Sequence, residues 1–137
     1  MSFHQVKTHF SSGLSFTAEI DQYSVPMDTT EEGGQQAGPS PKKLMLASLA
    51  GCTGIDVVSI LHKMKVAFSE FSIEVEAGLT EDHPKIYQDV MVTYRIHVEE
   101  ADQSKVEKAV SLSQEKYCGV NAMFRSFSKV SSRIVYC

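Results

Sequence analysis

Along residues 14–20, Leu14, Phe16, Ala18 and Ile20 alternate with Ser15, Thr17 and Glu19. A period of two with one apolar face predicts a half-buried strand. Ser11-Ser12-Gly13 before it and Asp21-Gln22 after it read as turns. Phe3 to Phe10 and Tyr23 to Met27 then become flanking strands of an antiparallel meander. Residues 28–40 hold three glycines, a proline and no large apolar side chain, which predicts a loop with nothing to pack. Alternation returns at 68–78, with Phe71, Ile73, Val75 and Ala77 on one face. It recurs at 86–98, with Val90, Val92, Tyr94, Ile96 and Val98 on one face. Glu81-Asp82-His83-Pro84 turns the chain between them, so the pair predicts a hairpin with one face on the core.

The pattern changes over residues 41–65. Ser40 suits an N-cap and Pro41 a first helical turn. Apolar positions from Leu44 to Leu61 are so dense that the helix is expected to be buried nearly all round. At about 1.5 Å per residue it would span roughly 37 Å. A compact chain of this length is only about 26–30 Å across. Either the helix kinks at Gly51-Cys52-Thr53-Gly54, or a second chain covers part of it. An amphipathic helix is predicted at 102–117, with Ser104 and Glu107 in a capping-box pattern. One or two helical turns follow within 121–127, and Val130 to Tyr136 closes as a strand. Strands and helices are segregated, which predicts a single α+β domain over residues 1–137.

Composition narrows the function classes. The net charge is −4 and no Lys/Arg run exceeds two residues, so the electrostatic footprint of a nucleic-acid binder is missing. The longest apolar stretch, Leu44 to Ala50, is interrupted by Ser48 and reads as too short to span a membrane. Met1-Ser2-Phe3-His4-Gln5 lacks a basic region followed by an apolar core, which predicts no signal peptide and a cytoplasmic location. Three cysteines without an export signal argue against a disulfide framework.

Candidate chemistry centres on Cys52 and Cys118. They stand 66 positions apart (118 minus 52), too far for a local CxxC loop. If they meet in space, one is a nucleophile and the other its resolving partner; if they do not, both are inert core thiols. Gly51 and Gly54 leave room for a substrate to approach Cys52. A kink there would set Cys52 at a fresh helix N-terminus, and Cys118 is placed to open the next helix and feel its dipole. Cys137, the last residue, is expected to have no role. The histidines (His4, His9, His62, His83, His97) show no metal-ligand spacing. Gly33-Gly34 lacks the Lys-Ser/Thr and helix of a phosphate loop.

Pro41-x-x-Leu44-x-x-x-x-Leu49-x-Gly51-Cys52-Thr53-x-x-Asp56-Val57, followed by Tyr117-Cys118-x-Val120, resembles the OsmC/Ohr family of osmotically inducible and organic-hydroperoxide-resistance proteins. The element order matches as well, so the resemblance spans nearly the whole chain. It implies an OsmC-like fold: N-terminal antiparallel strands, a long buried central helix, a hairpin, helices and a final strand. It also implies an intertwined homodimer, whose second subunit would bury the long helix. It places the peroxidatic role on Cys52 and the resolving role on Cys118. The implied activity is reduction of organic or lipid hydroperoxides in oxidative-stress defence, with an external dithiol as reductant and no metal or organic cofactor. The family's peroxidases use an Arg from the N-terminal strands and a Glu in the first turn of the cysteine helix. Here the arginines are Arg95, Arg125 and Arg133, and Lys42 and Lys43 occupy that first turn. Lys42, Lys43 and Arg125 are therefore the candidate thiolate-stabilising cations. Met45, Leu49, Met123 and Phe124 are the candidate apolar lining of a substrate pocket. The alternative implied by loss of the Arg–Glu pair is a catalytically weak member that binds a small ligand or senses redox state.

Overall fold

Three short strands form where the N-terminal alternation falls: β1 (Lys7–Phe10), β2 (Phe16–Ile20) and β3 (Tyr23–Met27). The computed structural model describes residues 2–137, which divide into two compact units meeting between Met45 and Leu46. In the first unit the strands make an antiparallel sheet in the order β1-β2-β3. Ile20 pairs with Tyr23, leaving a two-residue turn in which Asp21 takes the left-handed conformation (φ 55°). A short polar side chain tolerates that region because it hydrogen-bonds locally. β1 is shorter than the expected Phe3–Phe10 strand, and Phe3 lies exposed ahead of it.

The loop after β3 corrects the expectation that it has nothing to pack. Asp28 is only 3% exposed and organises the segment around its carboxylate. Its Oδ1 accepts from the Thr29 amide at 2.7 Å, and its Oδ2 accepts from the Ala37 amide at 3.0 Å and from the Ser15 hydroxyl. A polar loop can be ordered by satisfying backbone donors instead of burying hydrocarbon. The Ser15 hydroxyl, ahead of the Ala37 and Thr29 amides, holds the Asp28 carboxyl down at about 2, against its ordinary 3.8. A depressed carboxyl contributes stability above its ordinary value and loses it as pH falls through the folded value. The Thr29 and Ala37 amide proton resonances are therefore expected to titrate together with a midpoint about 2. Loop order should be complete above pH 4 and lost on approach to pH 2. A midpoint near 3.8 in the NMR titration would contradict this account of the loop.

Helix α1 (Pro41–Lys63) starts as expected, with the Lys43 amide donating to the Ser40 hydroxyl at 3.2 Å. It runs unbroken through Gly51–Gly54, so the kink is absent and Cys52 lies mid-helix rather than at a new N-terminus. Nor is it buried all round. Its buried side chains are Leu49, Thr53, Val57 and Leu61, a stripe at every fourth position. Ile55 is 73% exposed, and a Cβ placed on Gly51 would meet nothing within 4 Å. Counted as one helix instead of one uninterrupted apolar run, α1 is long and apolar enough to cross a membrane, contrary to the sequence expectation. In this fold it is a core helix, because Leu49, Val57 and Leu61 belong to the main hydrophobic cluster.

In the second unit, β4 (Ser69–Leu79), β5 (Tyr87–His97) and β6 (Lys129–Tyr136) form a sheet in the order β4-β5-β6. β4 and β5 pair antiparallel, as the predicted hairpin requires, whereas β6 pairs parallel to β5. Parallel neighbours need a long crossover. This one contains a 3₁₀ turn (Glu100–Asp102), α2 (Gln103–Leu112), a π-helical turn (Ser113–Tyr117) and α3 (Gly119–Arg125). The predicted capping box does not form. The 3₁₀ turn feeds directly into α2, so Asp102 is the N-cap residue and Ser104 lies inside the helix. Val106, Ala109 and Val110 of α2 and Val92, Tyr94 and Ile96 of β5 belong to the same hydrophobic cluster as Leu49, Val57 and Leu61 of α1. Each fully buried Val or Leu there contributes about 1.5–3 kcal/mol relative to exposure.

Candidate active site

The π-helical turn ends at Cys118, whose extended backbone (φ −79°, ψ 101°) breaks the helix and makes it the N-cap of α3. Its sulfur accepts from the Asn121 amide at 3.3 Å, so Cys118 opens a helix as the sequence suggests. A π turn widens the helix by one residue and recurs at functional sites. Here it turns Cys118 inward, leaving it 3% exposed, while Tyr117 before it is 54% exposed.

Across from it, α1 carries Cys52 and Asp56 four positions apart, hence on one helical face. The sulfurs of Cys52 and Cys118 and a carboxylate oxygen of Asp56 all lie within 4.8 Å of one another. The two cysteines thus meet despite their separation along the chain. Both are free thiols. Cys118 is buried and Cys52 half-buried, so Cys52 is the more accessible sulfur.

Behind the thiols runs a chain of hydroxyls. Ser113, fully buried, donates to Asp56 Oδ2 at 2.9 Å. A hydroxyl has one proton to give. The 2.8 Å contact between Ser113 and Thr53 is therefore a donation from Thr53, and the 2.7 Å contact between Thr53 and Tyr94 a donation from Tyr94. Gln114 Nε2 completes the series by donating to the Tyr94 hydroxyl at 3.1 Å. The direction is set at one end by the Asp56 carboxylate, which accepts only. Burial pushes the Tyr94 phenol up, against the Thr53 and Gln114 hydrogen bonds that lower it, keeping it a donor. Among the described residues no buried side-chain nitrogen or oxygen lacks a partner.

Burial pushes the Cys118 thiol up to about 11, from 9.0. Its hydrogen bond to Cys52 acts in the same direction, and the Asn121 amide opposes both. Cys118 therefore stays protonated at neutral pH and offers that proton to the Cys52 sulfur. The Asp56 charge adds a smaller push in the same direction.

The other sequence candidates have the following surroundings. Lys42 and Lys43 are exposed in the first turn of α1, and Met45, also exposed, belongs with them to the first unit. Arg125 donates to the Gln114 carbonyl, which also accepts from Asn121 Nδ2 at 2.9 Å, so its guanidinium braces the π turn. Leu49 and Phe124 are core residues, 1% and 2% exposed, and Met123 is exposed. A cleft of about 490 Å³ opens at Asp56 and is lined by Ile60, Lys63, Met64, Leu112 and Tyr117. Sequence reasoning missed Asp56, Thr53, Tyr94, Ser113 and Gln114 as site residues. Thr53 and Asp56 carried a signal as positions of the motif around Cys52, and Asp56 also by its four-residue spacing from Cys52.

The comparisons with known proteins bear on this arrangement. Residues 33–133 match the family model described as OsmC-like protein. This chain belongs to the OsmC-like family. Among curated relatives of this OsmC-like chain, Protein YhfA of Escherichia coli K12 is 30% identical over 120 residues, 87% of each chain. The crystal structure of a hypothetical protein from Aquifex aeolicus VF5 superimposes with a TM-score of 0.82 at 30% identity. It covers 100% of this chain and 99% of that one. An organic hydroperoxide resistance protein OsmC from Legionella pneumophila shares the OsmC-like fold, with a TM-score of 0.69 at 18% identity and 98% coverage of both chains.

Proposed function

We propose that this OsmC-like protein is a two-cysteine peroxidase that reduces organic hydroperoxides. Membership of the family supports a peroxide-resistance or redox role in general terms. The single observation that carries the specific reading is the approach of the Cys52 and Cys118 sulfurs to within 4.8 Å from distant parts of the chain. Cys52, the more accessible sulfur, is the attacking thiolate. It displaces alkoxide from the peroxide, the alkoxide takes a proton and leaves as alcohol, and Cys52 becomes a sulfenic acid. Cys118, protonated and adjacent, attacks that sulfur and releases water, which forms the disulfide. An external dithiol then reduces the disulfide by exchange and is itself oxidised.

The cleft at Asp56 fits an organic substrate, because Ile60, Met64, Leu112 and Tyr117 present hydrocarbon beside that carboxylate. The working form is a cytoplasmic homodimer. The uncovered face of α1 around Ile55 and the exposed Phe16 and Ile20 of β2 are apolar surfaces that a second copy would bury.

Asp56 also favours a second reading. It sets a carboxylate beside the two sulfurs where the family resemblance implies an arginine, and it helps to keep the Cys118 thiol protonated. A slow pair of this kind is a redox sensor rather than a peroxidase. Intact mass after one equivalent of cumene hydroperoxide, with hydrogen peroxide in parallel, separates the two. The peroxidase reading expects loss of two hydrogens and a mapped Cys52–Cys118 disulfide, formed faster with the organic peroxide. Slow oxidation at equal rates with both oxidants would overturn it in favour of the sensor.

A further inference from the structure

Cys52, Asp56 and Cys118 present two sulfurs and a carboxylate oxygen, all mutually within 4.8 Å. In a tetrahedral zinc site, Zn–S bonds of about 2.3 Å and Zn–O bonds of about 2.0–2.2 Å set ligand atoms roughly 3.5–3.8 Å apart. The three groups would need to close by at most about 1.3 Å to grip the ion. A disulfide, with sulfurs about 2.05 Å apart, demands closure of up to about 2.7 Å. The reduced arrangement is thus nearer to a metal clasp than to its own oxidised form.

The surroundings are those of a ligand set. Cys52 and Asp56 share one face of α1 four residues apart, which brings two donors to bear on a single ion. The Ser113 hydroxyl fixes the Asp56 carboxylate at 2.9 Å, as an outer-shell partner does for a metal ligand. Thr53 in turn holds Ser113 at 2.8 Å. We propose that Cys52, Asp56 and Cys118 form a three-ligand site for a thiophilic divalent cation, zinc in particular, whose occupancy holds both thiols and blocks their oxidation. Two sulfur donors select zinc over the hard cations magnesium and calcium. Three protein ligands leave one position to water, which makes the ion exchangeable rather than structural. Binding displaces thiol protons into solvent. The inference rests on the same pair of cysteines as the proposed peroxidase but not on its turnover.

The test is a zinc titration of the reduced, metal-free protein against a chromogenic chelator, with cobalt as a spectroscopic substitute. One ion per chain is expected, with a thiolate-to-cobalt charge-transfer band in the near ultraviolet. Cys52→Ser, Cys118→Ser and Asp56→Asn should each weaken zinc at least about 10-fold. Cys137→Ser should change nothing. Asp56→Asn keeps the size of the side chain and an acceptor for Ser113. An unchanged melting temperature for that variant would assign its lost affinity to the missing ligand. Undiminished, wild-type affinity in Asp56→Asn or in Cys52→Ser, or loss in Cys137→Ser, would overturn the proposal. Oxidation of the metal-free protein by cumene hydroperoxide is followed separately. Turnover without zinc binding ends the metal site and leaves the peroxidase standing. Zinc binding without turnover upholds the metal site and removes the peroxidase.

Discussion

Cys52→Ser should abolish turnover of cumene hydroperoxide, and Cys118→Ser should stop it after one oxidation per chain. The first variant removes the attacking sulfur, and loss of a nucleophile costs at least about 10³-fold in rate. The second leaves Cys52 able to attack but removes the only thiol within 4.8 Å that is placed to condense with the sulfenic acid. Its product should therefore be a sulfenic acid, trapped by dimedone and visible in the intact mass, with no internal disulfide. The two substitutions differ in what accumulates, which separates their roles better than any loss of rate. Full turnover in Cys52→Ser would end the proposed mechanism. A dimedone adduct on residue 118 in Cys52→Ser would reverse the two roles.

The largest effect on stability is expected from Phe124→Ala. Phe124 is 2% exposed and packs its ring 5.0 Å from that of Phe127, centre to centre. Its carbonyl accepts from the Ser128 amide at 2.8 Å, tying the end of α3 to the start of β6. α3 has only seven residues. A helix that short does not hold itself in water and depends on what it buries. Truncating a buried Phe to Ala costs about 3–5 kcal/mol. That is a large share of the roughly 5–15 kcal/mol that holds a domain folded. The expected result is a much lower denaturant midpoint at unchanged slope, together with slower disulfide formation, since Cys118 caps the helix that Phe124 anchors. A loss under about 1 kcal/mol would mean that α3 is held by its hydrogen bonds rather than by its ring.

Elements with a strong period were legible in the chain, and those fixed by single polar contacts were not. Leu14 to Ile20 and Val90 to Val98 alternate so regularly that no competing period exists, and strands form there from Phe16 to Ile20 and through Val90 to His97. Ser40 and Pro41 mark the start of α1 by chemistry that works within one turn. The same helix misled the reading of burial. Apolar density reports how much hydrocarbon a helix carries, not which neighbours reach it, and only the 49-53-57-61 stripe is covered. Residues 28–40 looked empty because pattern reading counts hydrocarbon, whereas the loop is held by one carboxylate. The capping box failed because Ser104 and Glu107 have the right spacing whether or not a turn has already begun upstream.

At the site, the cysteines could be singled out because thiols are rare and their contexts distinctive. Their meeting could not be derived, since it is a contact between residues 66 positions apart, which no local pattern encodes. Thr53, Ser113 and Tyr94 are ordinary residues in the sequence. They become a directed chain only when three elements converge, and Asp56 acquires meaning at the end of that chain.

The parallel crossover also has a consequence for biosynthesis. Cys52 leaves the ribosome 66 residues before Cys118, and β6, which closes the crossover, extends to Tyr136. At about 5–20 residues per second, the earlier sulfur waits roughly 3–13 s for its partner. If Cys52 is the attacking thiol proposed above, the nascent chain carries it for that interval with nothing to resolve it, and an oxidant met then would drive it up the oxidation ladder instead of round a cycle. On that reading the newly made protein is more vulnerable to peroxide than the finished one.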